Sequence, residues 1–289
     1  MAEATLLDHQ FEIDGAGSLG GVLIGAGQPW IFVDAQGFDS PEMKVSDTER
    51  PLDHGSLVLG TDYAAGRTVS MTVALSETYG SGTYQSRMDQ LKGVMAPRET
   101  DISLRYSYNA AGARRLFCRP RRCEFILDRD SRWGAFYAHL QFFAGDPRLY
   151  SDDQSSQFLV LPSVSGGLGW PLGWPVGWGT AVGGTVNVTN LGNFPTRPIV
   201  VFTGPLSSPG VENLTTGKAF ETTFNLLAGS TLVVDFDQRT VEENGFASRY
   251  SSVTADSQWW DLVPGLNQVR INASAGGGSA ILYSRSAWI

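Results

Sequence analysis

A glycine-rich segment near the N-terminus has the spacing of a dinucleotide-binding loop. Residues 15–20 read GAGSLG, which fits the pattern G-x-G-x-x-G. That loop binds a pyrophosphate only where it opens a helix, because the helix N-terminus supplies free N–H groups. Here the apolar run Val22-Leu23-Ile24 follows, and it predicts a strand. We therefore interpret the segment as the turn of a β-hairpin.

Other residue patterns that perform catalysis are missing. The sequence contains no G-x-S-x-G, H-E-x-x-H or P-loop motif, and its three histidines, His9, His54 and His139, lie far apart. His54 stands between Asp53 and Gly55, which is a pattern typical of a turn. The sequence therefore predicts no catalytic residue, and we expect that the protein is not an enzyme.

Carboxylates in the second half are candidate metal ligands. Asp235 and Asp237 are two residues apart, so they share one face of a strand, and Glu242 and Glu243 follow. Such oxygens suit Ca²⁺, but the EF-hand loop pattern is missing and a solvated turn is the favoured interpretation. No metal and no cofactor is predicted.

The two cysteines flank a basic segment. Cys118 and Cys123 lack the C-x-x-C spacing and have no histidine nearby. A hairpin that turned at Pro120-Arg121 would place them face to face, but proline cannot supply the positive φ of a two-residue hairpin turn. We expect two free thiols, as in a protein made in a reducing cytoplasm.

Charge is distributed unevenly along the chain. Residues 1–96 carry 5 basic and 13 acidic side chains, whereas residues 97–132 carry 9 arginines and 5 acidic side chains. One interpretation of this arginine-rich segment is a solvated face. A second is a nucleic-acid surface, but the formal net charge of −8 argues against it. The third is a head-to-tail contact between copies, which closes into a ring. The candidate contact residues are Arg98, Arg105, Arg114, Arg115, Arg119, Arg121 and Arg122.

Composition and periodicity predict a mainly β protein. The 289 residues, 34 of them glycine, suit about two domains of short strands and tight turns. Residues 67–75 alternate apolar and polar side chains, which predicts a half-buried strand. One helix is predicted from Thr83 to Met95, ended by Pro97, with an apolar stripe at Tyr84, Met88, Leu91 and Met95. Further strands in this half are predicted at 6–13, 22–24, 30–33, 57–59, 102–108, 115–127 and 135–143.

A polar, turn-rich segment at 146–153 divides the chain into domains at 1–150 and 181–289. Between them, residues 151–180 contain a repeat of Gly, Pro and Trp that predicts an extended strap. The second domain has strand patterns at 185–188, 198–202, 211–214, 219–224, 231–236, 251–254, 267–271 and 280–285. Short strands at this spacing are typical of a β-sandwich.

Several segments, taken in order, resemble one protein family. In the first domain they are residues 37–41 (GFDSP), 47–55 (DTERPLDHG), 66–69 (GRTV), the helix up to Pro97, and 142–150 (FFAGDPRLY). In the second domain they are residues 190–198 (NLGNFPTRP), 213–217 (NLTTG), 228–235 (AGSTLVVD), 239–241 (RTV), 259–267 (WWDLVPGLN) and 285–288 (RSAW). Over nearly its whole length the chain resembles the distal tail proteins, often termed minor tail proteins, of long-tailed bacteriophages, particularly those that infect actinobacteria. It departs from the family pattern at residues 242–245 (EENG), and by having Trp in the strap where relatives often have Phe.

The resemblance implies both a fold and a role. The fold would be an N-terminal split β-barrel with one α-helix, related to tail-tube proteins, plus a C-terminal β-sandwich that faces outward. The role would be that of a virion component, assembled in the host cytoplasm, that forms a ring of six copies at the tail tip. Its partners would be itself, the tail tube protein, the tip hub and fibre proteins, and the tape measure protein in the lumen. DNA would pass through this ring without sequence-specific binding, so we expect net negative charge on lumen-facing residues.

The tryptophans suggest an alternative function as an adhesin that binds host-wall glycans. A β-sandwich can bind sugars through exposed tryptophan rings, and the candidates are Trp170, Trp174, Trp178, Trp259 and Trp260. Packing inside or between domains is the favoured interpretation of these side chains. No apolar run reaches the length of a membrane span and no secretory leader is recognisable, so we expect no membrane insertion.

Overall fold

The structure is a computed structural model that describes residues 5–14, 21–76, 83–108, 112–126, 129, 131, 135–165 and 180–289. The chain divides into two units, one formed by Met1–Asp152 with Ile289 and the other by Asp153–Trp288. Strands dominate both units, so the predicted mainly β class is confirmed. Among the residues described, no helix is long and apolar enough to cross a membrane.

The first unit contains twelve strands and one helix in its described part. The strands are β1 (Gln10–Ile13), β2 (Val22–Ile24), β3 (Trp30–Gln36), β4 (Met43–Lys44), β5 (Asp47–Glu49), β6 (Ser56–Val58), β7 (Tyr63–Ala64), β8 (Arg67–Ser76), β9 (Ile102–Ser107), β10 (Ala113–Ile126), β11 (Ala135–Ala144) and β12 (Leu149–Ser151). The helix α1 (Thr83–Val94) lies between β8 and β9.

Seven of these strands pair in a closed circuit, in the order β11-β8-β3-β2-β1-β9-β10 and back to β11. All of the pairings are antiparallel except that of β2 with β3. The circuit closes because β10, with 14 residues, is long enough to pair with β9 along its first half and with β11 along its second. Inside the circuit lie fully buried apolar side chains, which include Phe11, Val69, Leu104, Leu116 and Phe142.

Two sequence predictions for this unit are confirmed in detail. Along β8, Val69, Met71, Val73 and Leu75 are buried while the residues between them are exposed or half-buried. The segment after residues 15–20 is the strand β2, which pairs with β1, so no helix opens there to bind a pyrophosphate. The glycine motif itself lies outside the described residues.

Helix α1 matches its predicted span within one residue. Its buried residues are Met88, Leu91 and Val94, whereas Tyr84, at the start of the predicted stripe, is partly exposed and stacks on Phe136 with 5.3 Å between ring centroids. The apolar stripe of the helix is therefore buried from Met88 onward.

The second unit contains sixteen strands in its described part. They are β13 (Ser155–Val160), β14 (Ser163–Ser165), β15 (Thr180–Val182), β16 (Thr185–Asn190), β17 (Ile199–Thr203), β18 (Leu206–Ser207), β19 (Gly210–Asn213), β20 (Lys218–Glu221), β21 (Asn225–Leu226), β22 (Thr231–Asp235), β23 (Thr240–Glu243), β24 (Ala247–Ser248), β25 (Gly265–Asn272), β26 (Ala275–Gly276), β27 (Ser279–Ser284) and β28 (Ala287–Trp288). A 3-10 turn, Tyr250–Ser252, follows β24.

The second unit is a β-sandwich. One sheet has the order β13-β27-β17-β22-β23-β24, and the other has the order β16-β25-β19-β20. Alternate side chains of both sheets enter one core, as the alternating burial of β17 in the first sheet and of β25 in the second shows. The core residues include Leu159, Val200, Phe202, Leu232 and Leu282 from the first sheet and Val188, Val211, Phe220, Val269 and Ile271 from the second.

Two predictions for this half are corrected. Residues 155–160, predicted to belong to the strap at 151–180, form β13, which pairs with β27 along its whole length. Residues 251–254, predicted as a strand, form part of the 3-10 turn and a single bridge from Val253 to Thr222. Both segments are short and weakly periodic, so only tertiary contacts decide their structure.

Candidate inter-subunit surfaces

Two of the candidate contact arginines are buried inside the first unit. Arg105 on β9 is 4% exposed and Arg115 on β10 is 8% exposed. Strand β12 pairs with β10 and brings Asp152 beside both guanidinium groups. Arg105 donates to the two carboxylate oxygens of Asp152 at 2.8 and 2.5 Å and also pairs with Glu12. Arg115 donates to Asp152 at 2.9 Å. The expectation that these two arginines belong to an exposed contact surface is therefore wrong.

The charges of this buried cluster balance. Burial would raise the pKa of Asp152, but hydrogen bonds from Arg105 and Arg115 outweigh that effect and hold the pKa below its ordinary value. The hydrogen bond with Asp152 also raises the pKa of Arg105, although burial opposes the rise. Two carboxylates face two guanidinium groups, and buried ions need such pairing to offset the loss of hydration.

Arg98 and Arg114 also make contacts within their own unit. Arg98 donates to Asp14 at 2.6 Å and to the carbonyl of Val94 at 3.0 Å, where a cation complements the C-terminal end of α1. Burial raises the pKa of Tyr106, and a hydrogen bond with Arg114 opposes that rise. Both arginines therefore stabilise the first unit itself.

The remaining three candidates, Arg119, Arg121 and Arg122, are exposed on β10. The pairing of β10 with β11 shifts by one residue between Pro120 and Arg122, which marks a β-bulge. A bulge re-aims the side chains on either side of it, and here Arg121 and Arg122 both reach solvent although they are neighbours in sequence. We term these three residues the arginine face.

The three arginines differ in their partners. Arg119 pairs with Asp101 at 2.7 Å, and Arg122 pairs with Glu124 at 2.7 Å. The Arg121 guanidinium lies over the ring of Phe143, 5.3 Å from its centroid. In the part of the chain that the structure describes, Arg121 has no carboxylate partner. An exposed cation of this kind is available to an acidic surface.

Residues 42–65 form a two-stranded arm outside the strand circuit. In this arm, β4 pairs with β7, and β5 pairs with β6. Every side chain of β4, β5 and β6 is exposed. The exposed large apolar side chains of the arm are Met43, Val45, Leu52, Leu57, Val58, Leu59 and Tyr63. Seven exposed large apolar side chains within one short arm are typical of a contact surface.

The arm is also acidic. Residues 42–65 contain five acidic and two basic side chains, a net charge of −3. In the β5–β6 register Asp47 lies opposite Val58 and Glu49 lies opposite Ser56, so both carboxylates share one face of the ribbon with Val58. Among the described residues, Asp47 and Glu49 form no ion pair. We term Asp47, Glu49 and Val58 the acidic face of the arm.

Sequence reasoning missed the arm as a surface. The pattern at residues 57–59 predicts an ordinary strand, and residues 47–55 form one of the family-like segments. Neither pattern predicts an exposed surface. The available signal was an apolar strand pattern flanked closely by acidic residues on both sides, which is unusual for a strand that enters a core.

The tryptophan candidates separate into three groups. Trp260 is 1% exposed and packs against Phe236 with 4.6 Å between ring centroids, so it belongs to the core and offers no surface to a glycan. Trp259 is half-buried and contacts Phe220 at 4.6 Å. Trp170, Trp174 and Trp178 lie outside the described residues.

The carboxylates near residue 240 are engaged by the protein itself. Asp235 accepts hydrogen bonds from the backbone N–H groups of Asp237 and Gln238 at 2.8 and 3.0 Å, which forms a turn. Asp237 pairs with Arg197 at 2.6 Å. Among the residues described, no group of three or more potential ligands is placed to hold a metal ion.

The second unit matches a known family. Residues 191–286 match the model described as the siphovirus-type tail component, C-terminal domain. We term residues 191–286 the tail-component domain, after the family whose model they match. No curated protein sequence matches the chain significantly.

Solved structures of phage tail proteins share the fold of the whole chain. The Dit protein of phage SPP1, described as a paradigm of the hub adsorption apparatus in phages that infect Gram-positive bacteria, aligns with a TM-score of 0.66 and 13% identity over 97% of this chain and 99% of that chain. A chain of the phage p2 baseplate in its activated conformation aligns with a TM-score of 0.56 and 10% identity. The alignment covers 96% of this chain and 98% of that chain. Together with the family match, these folds confirm the resemblance to siphophage distal tail proteins.

The first family-like segment of the tail-component domain has a structural explanation. Asn190 is 2% exposed, accepts hydrogen bonds from the N–H groups of Gly192 and Ala287 at 3.0 and 3.2 Å, and donates to the carbonyl of Phe194 at 2.8 Å. A Cβ atom at Gly192 would lie 1.7 Å from the carbonyl oxygen of Ala287. Asparagine and glycine at these positions therefore join the segment after β16 to the last strand of the domain.

Two more buried asparagines hold loops of the tail-component domain. Asn267 is fully buried, accepts from the N–H of Val263 at 3.0 Å and donates to its carbonyl at 2.7 Å. Asn213 is also fully buried, accepts from the N–H of Thr215 at 3.0 Å and donates to the carbonyl of Asp261 at 3.3 Å. These family-like segments therefore specify the architecture of the domain.

Proposed function

We propose that this protein is the distal tail protein of a siphophage-type tail, and that copies of it form a ring of six at the tail tip. The ring joins the tail tube to the tip hub and the receptor-binding fibres. The protein is thereby a structural part of the virion, assembled in the host cytoplasm.

The exposed apolar arm is the observation that carries this proposal. Most strands of the seven-strand circuit are paired on both sides, so they offer a neighbouring copy little free edge apart from β3 after Trp30. Exposed side chains then provide most of the contacts, and the arm carries seven of the thirteen large apolar side chains that are exposed in the described part of the first unit. A surface of this kind becomes stable in water when a second protein covers it.

The partners follow from the place of the ring in the tail. Further copies of the chain are the first partner; the tail tube protein, the tip hub and the fibre proteins bind the two sides of the ring, and the tape measure protein occupies its lumen. The hub role described for the SPP1 relative supports this placement. We expect lumen-facing residues to be net negative, which lets DNA pass without binding.

Electron microscopy of the purified full-length chain tests the proposal. In the matched variant, residues 45–62 are replaced by Asn-Gly, a two-residue turn that connects Lys44 to Tyr63 and keeps the β4–β7 pair. We expect closed six-fold rings from the natural chain and single particles from the variant, with similar thermal unfolding of both. Separate particles of the natural chain at every concentration, or rings that persist without the arm, would contradict the proposal.

A second proposal, glycan binding, is favoured by one observation in the second unit. The exposed ring of Tyr250 lies nearly parallel to Trp259, at 14° and with 6.4 Å between centroids, and parallel aromatic rings provide a surface for sugars. Tyr250→Ala removes the exposed ring and leaves the core intact. If the protein is an adhesin, this variant loses binding to host-wall glycans that the natural chain retains; equal or absent binding by both rejects the proposal.

A further inference from the structure

We propose that the acidic face of the arm in one copy docks on the arginine face of the next copy. The inference rests on the proposed ring and specifies which two surfaces join its subunits. Asp47, Glu49 and Val58 form one side of the contact. Arg119, Arg121 and Arg122 form the other.

Charge complementarity is the first argument. Asp47 and Glu49 are exposed and form no ion pair in the described part of their own chain, and Arg121 has no carboxylate partner there. A planar guanidinium binds a carboxylate through two parallel hydrogen bonds, so each of these groups gains a partner when two copies meet. Attraction between opposite charges also favours contact between an acidic face and an arginine face over contact between two faces of the same charge.

Apolar complementarity is the second argument. On the acidic face, Val58 lies directly opposite Asp47 in the β5–β6 register. Beside the arginine face, Phe143 lies under the Arg121 guanidinium, and Ile126 and Tyr137, which are opposite each other in the β10–β11 register, are partly exposed. Both surfaces therefore combine charged and apolar groups, as protein interfaces with aromatic and arginine residues do.

The chain topology makes such a contact head-to-tail. The arm comes from residues 42–65, whereas the arginine face lies on the second half of β10. Two different surfaces of one chain that bind each other across copies generate a heterologous interface, and such an interface closes into a ring when its rotation permits. Each copy then offers its arm to one neighbour and its arginine face to the other.

Charge reversal tests the contact in the full-length chain. The variants are D47K/E49K on the arm, R121E/R122E on β10, and the two combined. The matched control, E99K/D256K, reverses two exposed acidic residues outside both surfaces. Sedimentation velocity measures the concentration of half-assembly, and thermal unfolding confirms that every variant is folded.

We expect each single-surface variant to raise the concentration of half-assembly at least tenfold. The combined variant restores assembly because the charges are again opposite, and the control leaves it unchanged. If the natural chain assembles and the two single-surface variants assemble equally well, the proposed docking is wrong. That outcome does not contradict the proposed ring. If the natural chain never assembles, the ring itself is wrong.

Mixed cross-linking separates contact between copies from contact within one copy. Glu49→Cys and Arg121→Cys are made in separate chains, both with Cys123→Ser, and the two proteins are mixed and oxidised. A disulfide-linked pair that contains one chain of each kind supports the docking. Cross-links that form only between identical chains, or none at all in assembled material, overturn it.

Discussion

Arg105 and Asp152, which are 47 residues apart, form a two-pronged ion pair inside the first unit. Arg105 lies on β9, and Asp152, directly after β12, is the last residue of the first unit before the chain enters the second. Because Arg115 and Glu12 complete the cluster, four charged groups from separate segments fix the point at which the chain leaves the first unit. This finding explains why part of an arginine-rich segment is structural and not a surface.

Replacing Asp152 by Asn tests the role of the cluster. The substitution leaves two buried guanidinium groups with one carboxylate, and breaking a buried pair costs about 3 kcal/mol or more. We expect the free energy of unfolding, measured with denaturant, to fall by about that amount. Asp62→Asn, at an exposed position, is the control and should change stability by less than about 0.5 kcal/mol. Equal stability of the two variants would contradict the structural role.

The acid dependence of stability follows from the same cluster. The pKa of Asp152 is lower in the folded protein than in the unfolded chain, so its contribution is complete above the unfolded value of about 4 and is lost as pH falls through the folded value. Between neutral pH and acid, we expect the free energy of unfolding to fall more steeply for the natural chain than for Asp152→Asn. Parallel curves would show that Asp152 does not supply this dependence.

The buried asparagines of the tail-component domain yield a third prediction. Asn267→Ala removes the hydrogen bonds to Val263 and leaves buried backbone groups unpaired, at a cost of about 2–3 kcal/mol. Asn225→Ala, at an exposed position, is the matched control. Calorimetry of both variants should show a clear loss of melting temperature for Asn267→Ala alone. A normal melting temperature would refute the architectural role of that segment.

The two thiols should differ in reactivity. Burial raises the pKa of Cys118 to about 12. Burial also raises the pKa of the half-buried Cys123, and the positive charge of Lys92 opposes that rise. The continuous strand β10 separates the two residues by roughly 15 Å, too far for a disulfide. Alkylation of the folded protein, read by peptide mass, should modify Cys123 first and Cys118 only in denaturant. Equal rates in the folded state would contradict the burial.

The sequence predicted those elements whose pattern is local. The alternation along β8, the span of α1 and most strands of the second unit required no knowledge of tertiary contacts. The burial of Arg105 and Arg115 could not be predicted, because it depends on a tertiary contact. Strand β12 pairs with β10 and thereby brings Asp152 beside both arginines. The exposure of the arm could not be predicted either. An apolar strand pattern predicts that another surface covers the strand, but it does not say whether that surface belongs to the same chain or to another one.

The native mass of the purified full-length chain, measured over a range of concentrations, is the direct test of ring formation. We expect a dominant species of six times the 31.2 kDa chain mass, which dissociates when residues 45–62 of the arm are replaced by Asn-Gly. A single species of 31.2 kDa at all concentrations would contradict the claim that this protein forms a ring.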